Sequence, residues 1–409
     1  MVSARDVVLL STADWDNPFW TNKQHVAVEL ARRGFRVLYV ESLGLRQPTL
    51  KARDLRRIAR RLLRSVRPPR QVRNNLWVWS PLVVPAHGRP WARRLNRLLL
   101  RAGIAICARR LKLRSDILWT YNPLAAEVLR LSSFRLVVYH CVDDVKAAPG
   151  MPVQAISNAE SALVAHADVV FTTAPKLAEI HSKRNSHTHY LPNVADFDHF
   201  SRARSPTTRI PNDLIRIPEP RIGFVGAISR YKLDFHLLRA IAQSHPNWSV
   251  VLIGEIGEGD PWTDVSSLSD LPNLYFLGPR PYSELPAYLK GLDVGILPSA
   301  MNEYTASMFP MKFFEYLAAG LPVVSVNLPA LRDHADVATL ANTPEAFIDA
   351  IDRELATPDS SLDIRLVRAQ QHTYVSRMEV MLEILDRTER GRTSHTRPPA
   401  SSDQRARCE

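Results

Sequence analysis

Among the 409 residues, the segment NEYTASMFPMKFFEYLAAGLPVV (302–324) holds the pattern richest in chemistry. Pro310 suits the first turn of a helix, and Gly320 followed by Pro322 stops it, so the spacing predicts a short helix over 311–319. A helix N-terminus presents unpaired N–H groups and a positive dipole end to an anion. Lys312 and Glu315 stand three apart on one face. The ammonium can neutralise a nucleotide's phosphates while the carboxylate accepts hydrogen bonds from both ribose hydroxyls. In isolation the same pair would be an ion pair on a solvated helix. A strand before it and Pro322-Val323-Val324 after it place the helix N-terminus at the carboxyl edge of a sheet. Glu303, Tyr304 and Thr305, just upstream, are candidates for the same ligand.

A second group lies in the first half, where His140, Asp143 and Asp144 follow a strand at 136–139. Moving a group onto a hydroxyl calls for a base near that hydroxyl, or for polar groups that steady a developing cation. Any of the three could serve; one aspartate could equally cap a helix, and the histidine could sit in the core or position a ligand. Asp14-Trp15-Asp16 has the look of a metal motif but directly follows the first strand. It reads as a loop, with Trp15, Phe19 and Trp20 as core or acceptor-side aromatics. The thirteen histidines show no paired metal-ligand spacing in an acidic setting, and His187 and His189 read as solvated loop residues. No metal and no cofactor are expected.

These residues need a scaffold that alternates strands and helices, and the chain supplies one. Apolar runs at 7–10, 37–40, 76–79, 117–120, 136–139 and 169–172 alternate with helical patterns such as 22–33. A Ser/Arg/Pro-rich stretch, 206–220, interrupts the series as a linker. Strand patterns resume at 222–225, 250–253, 274–277, 294–297 and 323–325, with helices near 344–355 and 362–385. Fully apolar strands between helices imply parallel sheets covered on both faces. The predicted fold is therefore α/β: two Rossmann-like, doubly wound domains, 1–205 and 221–387, facing each other across a ligand cleft. Residues 388–409 read as a disordered tail.

Composition narrows the classes. With 45% hydrophobic and 23% charged residues the chain is globular. Three separated cysteines give no disulfide framework, and no run is long and apolar enough to span a membrane. The apolar run near the N-terminus is too short for a signal peptide, so a cytoplasmic protein is expected. The formal charge is +12, yet residues 46–114 alone hold 20 Lys+Arg against one acid, Asp54. Inside this basic insert, Leu55, Ile58, Ala59, Leu62, Leu63 and Val66 form one helical face flanked by Arg56, Arg57, Arg60, Arg61 and Arg64. Such a helix can lie on an anionic membrane surface. No recognition motif or aromatic platform accompanies the charge, so nucleic acid is not expected as a partner. The second basic helix, 91–111, reads as an ordinary helix packed on a sheet through Leu95, Leu98, Leu99, Ala102 and Ile106.

The second half resembles the nucleotide-binding domain of GT-B glycosyltransferases of the glycosyl transferases group 1. The resemblance rests on RIGFVGAISRYKLDFHLL (221–238), VVLIGEIGEG (250–259), NLYFLGPRPYSELPAYLKGLDVGILPS (273–299) and PMKFFEYLAAGLPVV (310–324). Weaker matches in the first half include NKQHVAVELARRGFRVLYVE (22–41), VVYHCVDD (137–144), ADVVFTTAPKLAE (167–179) and LPNVADFDHF (191–200). It implies sugar transfer from a nucleotide-sugar. Glu315 then matches the glutamate that holds the donor ribose, and Lys312 the basic residue beside the diphosphate. Lys232 takes the place of a phosphate lysine, six residues after the strand-end glycine Gly226. Ala227 stands where an arginine is usual, so Arg230 is its candidate substitute. Gly278 to Arg280 match the loop whose backbone contacts the base, and His140 the histidine that faces the donor sugar.

One departure concerns mechanism. Many retaining members carry two glutamates eight positions apart; eight before Glu315 stands Ser307, and Glu303 could serve only through a different loop geometry. The expected function is metal-independent transfer of a sugar from a nucleotide-diphosphate-sugar to a hydroxyl of a lipid-linked or cell-envelope glycan precursor. The enzyme would sit peripherally at the inner membrane face. The alternatives are a nucleotide-sugar epimerase of the same fold and a catalytically silent membrane-associated scaffold.

Overall fold

The computed structural model describes residues 5–17, 20–43, 67–84, 90–260 and 262–395. The basic face of Arg56, Arg57, Arg60, Arg61 and Arg64 lies outside them, as does Phe19. The first sheet contains β1 (Asp6–Leu10), β2 (Arg36–Val40), β3 (Arg70–Arg73), β4 (Leu76–Trp79), β5 (Ile117–Thr120), β6 (Leu136–Cys141), β7 (Val169–Thr172) and β8 (Thr188–Tyr190). Their order is β3-β4-β2-β1-β5-β6-β7-β8, parallel except for the β3–β4 pair. Strands such as DVVLL are buried along their whole length, which fits a sheet covered on both faces. Its helices include α1 (Asn22–Arg32), α2 (Pro90–Leu111), α3 (Val153–His166) and α4 (Pro175–Ser182).

The second sheet is wholly parallel: β9 (Arg221–Val225), β10 (Ser249–Ile253), β11 (Leu274–Phe276), β12 (Val294–Leu297), β13 (Val323–Val326) and β14 (Thr339–Ala341), in the order β11-β10-β9-β12-β13-β14. It is packed by α5 (Phe235–Ser244), α6 (Lys312–Ala319) and α7 (Pro344–Ala356), followed by α8 (Leu362–Gln371) and α9 (Tyr374–His395). Gly254 lies where β9 and β10 leave the sheet, and a Cβ there would come within 1.7 Å of the Gly226 carbonyl oxygen. The two strand ends therefore meet backbone to backbone at the sheet's carboxyl edge.

Five expectations need correction. The chain passes to the second domain before residue 205, because Ala195, Phe200 and Ala203 already belong to the second core. Conversely, α9 leaves the second domain: Met378, Met381 and Leu385 pack with α1 in the first core. The helical region 362–385 is two helices, broken where the Thr373 and Ser376 side chains cap each other's backbone N–H at 3.2 Å. The expected tail is helical as far as His395, and Arg392 bonds the Arg135 carbonyl at 3.1 Å. Within the basic region, β3, β4 and α2 are integral to the first domain, so 67–114 is not an insertion.

Candidate functional site

The predicted helix forms as α6, with Gly320 as its C-cap. Its inner side is apolar: Phe313, Phe314 and Leu317 are buried, and the Tyr316 hydroxyl accepts a 2.8 Å hydrogen bond from the Val225 N–H at the end of β9. That bond holds the helix to the central strand and places Lys312 and Glu315 above the sheet's carboxyl edge. Glu315 is only 3% exposed, and Lys312 Nζ donates to its Oε2 at 2.6 Å. Burial raises the Glu315 pKa, against the opposing pull of Lys312. A buried carboxylate with one cationic neighbour is a strong acceptor for donors that a ligand brings.

The two domains meet around this helix through residues the sequence did not flag. Asn193, in the chain crossing between the domains, donates to the Phe309 carbonyl just before α6 at 2.6 Å. Asn22, which opens α1, donates to the Asn193 side chain at 2.8 Å. Arg377 of α9 in turn donates to Asn22 at 2.6 Å and to the Pro192 carbonyl at 3.2 Å. All three side chains are buried. This polar chain ties α9, α1 and the crossing segment to the donor-side helix, satisfying buried groups that would otherwise be costly.

The aspartates past β6 part company. Asp144 is ion-paired with Lys146 at 3.2 Å, and Lys146 also reaches Glu160 at 3.4 Å. It is a structural carboxylate of the first domain, which removes it from the candidate bases. Asp143 instead faces the second domain, where the Tyr304 hydroxyl donates to it at 3.4 Å. Lys23, the second residue of α1 and nine-tenths buried, and Lys232, beyond β9, both act on Asp143 electrostatically. Burial outweighs them and raises the Asp143 pKa. Lys232 Nζ stands 5.4 Å from the Tyr231 ring centre and 5.8 Å from that of Tyr304, whose rings meet edge to face. Asp143, Lys23, Lys232 and Tyr304 thus converge from both domains.

His140 lies directly behind this cluster, fully buried. It stacks on Tyr121 at 4.7 Å, with Trp119 and Phe171 edge-on. Neither ring nitrogen has a hydrogen-bond partner among the described residues. Burial, reinforced by Arg377 and Lys23, pushes its pKa far down. The imidazole is therefore neutral and a poor proton acceptor, suited to a hydrogen bond with a ligand hydroxyl rather than to general-base work.

Other candidates fall outside the cluster. Thr305 spends its hydroxyl on the Asn302 backbone N–H (3.1 Å) and on the Ala300 carbonyl, so it builds the loop and has none left for a donor. Glu303 opens the 303–306 turn with its side chain exposed, so the loop does not turn it inward as a replacement glutamate. Ser307, the residue eight before Glu315, is fully buried with its hydroxyl unpaired among the described residues. Arg230 is exposed and acts electrostatically on Asp264. Gly278 turns with φ 72°, and the Arg280 side chain is held by Asp213 at 2.6 Å, leaving that loop to act through its backbone. Gly226 keeps the strand end thin, since a Cβ would meet the Phe224 ring at 2.8 Å. Trp15 is a core aromatic against Trp20 and Tyr39, and Asp16 pairs with Arg70 at 2.5 Å. Cys141, Glu160 and His181 offer metal-type ligand atoms within 4.8 Å of one another, but the Tyr139 hydroxyl and Lys146 take one Glu160 oxygen each.

Comparisons with known proteins bear on the family and the fold. Residues 219–357 match the family described as Glycosyl transferases group 1. A Bacillus subtilis (strain 168) protein, TuaH, whose name assigns it to teichuronic acid biosynthesis as a glycosyltransferase, is 30% identical over 228 residues. That match takes in 52% of this chain and 56% of the relative, little more than half of the relative's length. Among solved structures, sucrose-phosphate synthase from Thermosynechococcus elongatus superposes with a TM-score of 0.70 at 16% identity, covering 95% of this chain and 100% of that one. Anabaena HepE in complex with UDP and glucose gives 0.62 at 14% identity, covering 94% and 99%. At such identities the likeness is one of fold, the two-domain GT-B arrangement.

Proposed function

We propose that this chain moves a sugar from a nucleotide-diphosphate-sugar to an acceptor hydroxyl, a reading supported by the match of residues 219–357 to Glycosyl transferases group 1 and by the likeness to GT-B folds. Two observations carry the reading: the buried Glu315 with Lys312 on α6, and Asp143 of the first domain meeting Lys232 and Tyr304 of the second. Glu315 accepts from the ribose hydroxyls, and Lys312 and Lys232 neutralise the diphosphate. Asp143 takes the proton of the acceptor hydroxyl as its oxygen bonds to the sugar's anomeric carbon. The bond from that carbon to the phosphate oxygen breaks, and the nucleoside diphosphate leaves with the electron pair. His140 hydrogen-bonds a sugar hydroxyl. No step calls on a metal.

The acceptor is a lipid-linked or cell-envelope glycan precursor, met peripherally at the inner face of the membrane. Supporting this are the relative named for teichuronic acid biosynthesis and the basic first domain. Among the described residues no helix is long and apolar enough to cross a membrane. HepE, solved with UDP, makes uridine diphosphate the first nucleotide to try. Calorimetric titration with a panel of nucleoside diphosphates should show base-selective binding in the micromolar range, on the order of −8 kcal/mol. Absence of binding to every member would overturn the reading.

A further inference from the structure

Helix α2 does not pack as its sequence pattern suggests. Its buried face consists of Ala92, Asn96, Leu100, Ile104 and Cys107, with Gly103 notched against the Trp79 ring, which a Cβ would approach to 2.2 Å. The larger apolar residues point the other way: Trp91 is 55% exposed, Leu95 38%, Leu98 65% and Ile106 51%. At 100° per residue these four and the exposed Ala102 form one stripe along the solvent face. Arg94 and Arg101 flank it and Arg109 lies in line with it, all exposed, and the helix contains no acidic residue. Arg101 anchors its stem by donating to the Val128 carbonyl at 3.1 Å.

We propose that this face of α2 is the surface by which the protein lies on an anionic phospholipid bilayer. Tryptophan and leucine enter the boundary between headgroups and acyl chains while arginines beside them meet the lipid phosphates, the arrangement of an interfacial helix. Scattered exposed apolar residues are ordinary, but four on one stripe of one helix form a patch that marks a contact surface. The surrounding charge selects the partner, because residues 46–114 carry 20 Lys+Arg against one acid. Geometry adds a use. A helix that crosses between parallel strands starts at their carboxyl edge, so the Trp91 end of α2 is on the side where the cleft opens. A bilayer docked there would hold a lipid-borne acceptor close to Asp143. This last use rests on the transferase reading; the docking itself does not.

The test is co-sedimentation of the full chain with vesicles of phosphatidylcholine alone or with phosphatidylglycerol added. Wild type should pellet only with the anionic vesicles, and raising the salt should weaken binding without abolishing it. The double variant Trp91→Gln/Leu98→Gln, altered only at exposed positions, should bind about tenfold or more weakly. Arg94→Gln/Arg101→Gln/Arg109→Gln should lose the anionic preference. Both variants should keep wild-type thermal unfolding and wild-type nucleoside diphosphate binding, which separates failure of docking from failure of the transferase reading. The proposal is overturned if the double variant pellets like wild type. It is overturned equally if only neutralising Arg56, Arg57, Arg60 and Arg61 releases the protein, or if the stripe instead mediates a dimer in sedimentation without vesicles. Binding to DNA as strong as to vesicles, and lost in the same variants, would reassign the face to nucleic acid.

Discussion

Glu315→Gln should weaken donor binding by about ten- to a hundredfold while leaving the fold intact. A hydrogen bond to a charged group contributes about 1.5–3 kcal/mol, and an ionised Glu315 can accept one from each ribose hydroxyl. Glutamine keeps one acceptor oxygen, so the variant loses about one such bond, which corresponds to roughly one to two orders of magnitude in affinity. The fold should survive because burial raises this carboxyl's pKa. A raised carboxyl pKa means that the folded state holds the proton more tightly than the unfolded chain does. The stability tied to that proton is then present below the unfolded pKa and is lost as pH rises through the folded one. At neutral pH the neutral amide should therefore cause no fall in melting temperature, although Lys312 loses its 2.6 Å partner. In the wild type, donor affinity should decline on acidification over a window above the ordinary glutamate range. Calorimetry of both proteins across pH checks this; unchanged affinity in the variant would remove Glu315 from the donor site.

Asp143→Asn should produce the complementary defect: turnover falls by about 10²–10⁴-fold, the usual contribution of a positioned base. Donor affinity should shift by less than about threefold, since the residue acts on the acceptor. The amide keeps the side chain's size and can still accept from Tyr304, whose 3.4 Å bond links the domains. The pH–rate profile gives a second readout. Burial lifts the Asp143 pKa against the influence of Lys23 and Lys232. The acid limb should therefore lie above the ordinary aspartate range and disappear in the variant. His140 should leave no trace there, because its pKa is driven far below neutrality. A variant with normal turnover, or one that loses donor binding instead, would contradict the assignment.

Local pattern made much of this legible. Pro310 and Gly320 bracket α6 in the sequence, and Lys312 and Glu315 lie one turn apart on it, so the helix and its polar pair follow from spacing alone. Eleven strands were legible because each is a short apolar run; β3, β8 and β14 were not, being polar or only partly buried. The polar chain Arg377–Asn22–Asn193–Phe309 was not, since its members are up to 355 positions apart and no periodicity joins them. Lys23 was missed for a related reason: at the start of an amphipathic helix it reads as solvated until the second domain covers it. The α2 reading failed on side-chain size. Hydropathy favoured Leu95, Leu98 and Ile106 as the core face, whereas close approach to Trp79 needs Gly103, and the small Ala92 is buried on that side. The ends of the domains were misplaced because Ala195–Ala203 and α9 each pack on the domain from which they are distant in sequence.

The most direct measurement is the stoichiometry of a single incubation of wild-type protein with a nucleotide-sugar panel and an envelope-lipid acceptor extract, followed by mass spectrometry of all products. Sugar transfer predicts one nucleoside diphosphate released for each acceptor gaining one sugar, with both products vanishing together in Asp143→Asn. An isomerised nucleotide-sugar without an acceptor product would indicate an epimerase. Neither product, from a protein that still binds the nucleotide, would indicate a silent scaffold. Either result would contradict the account.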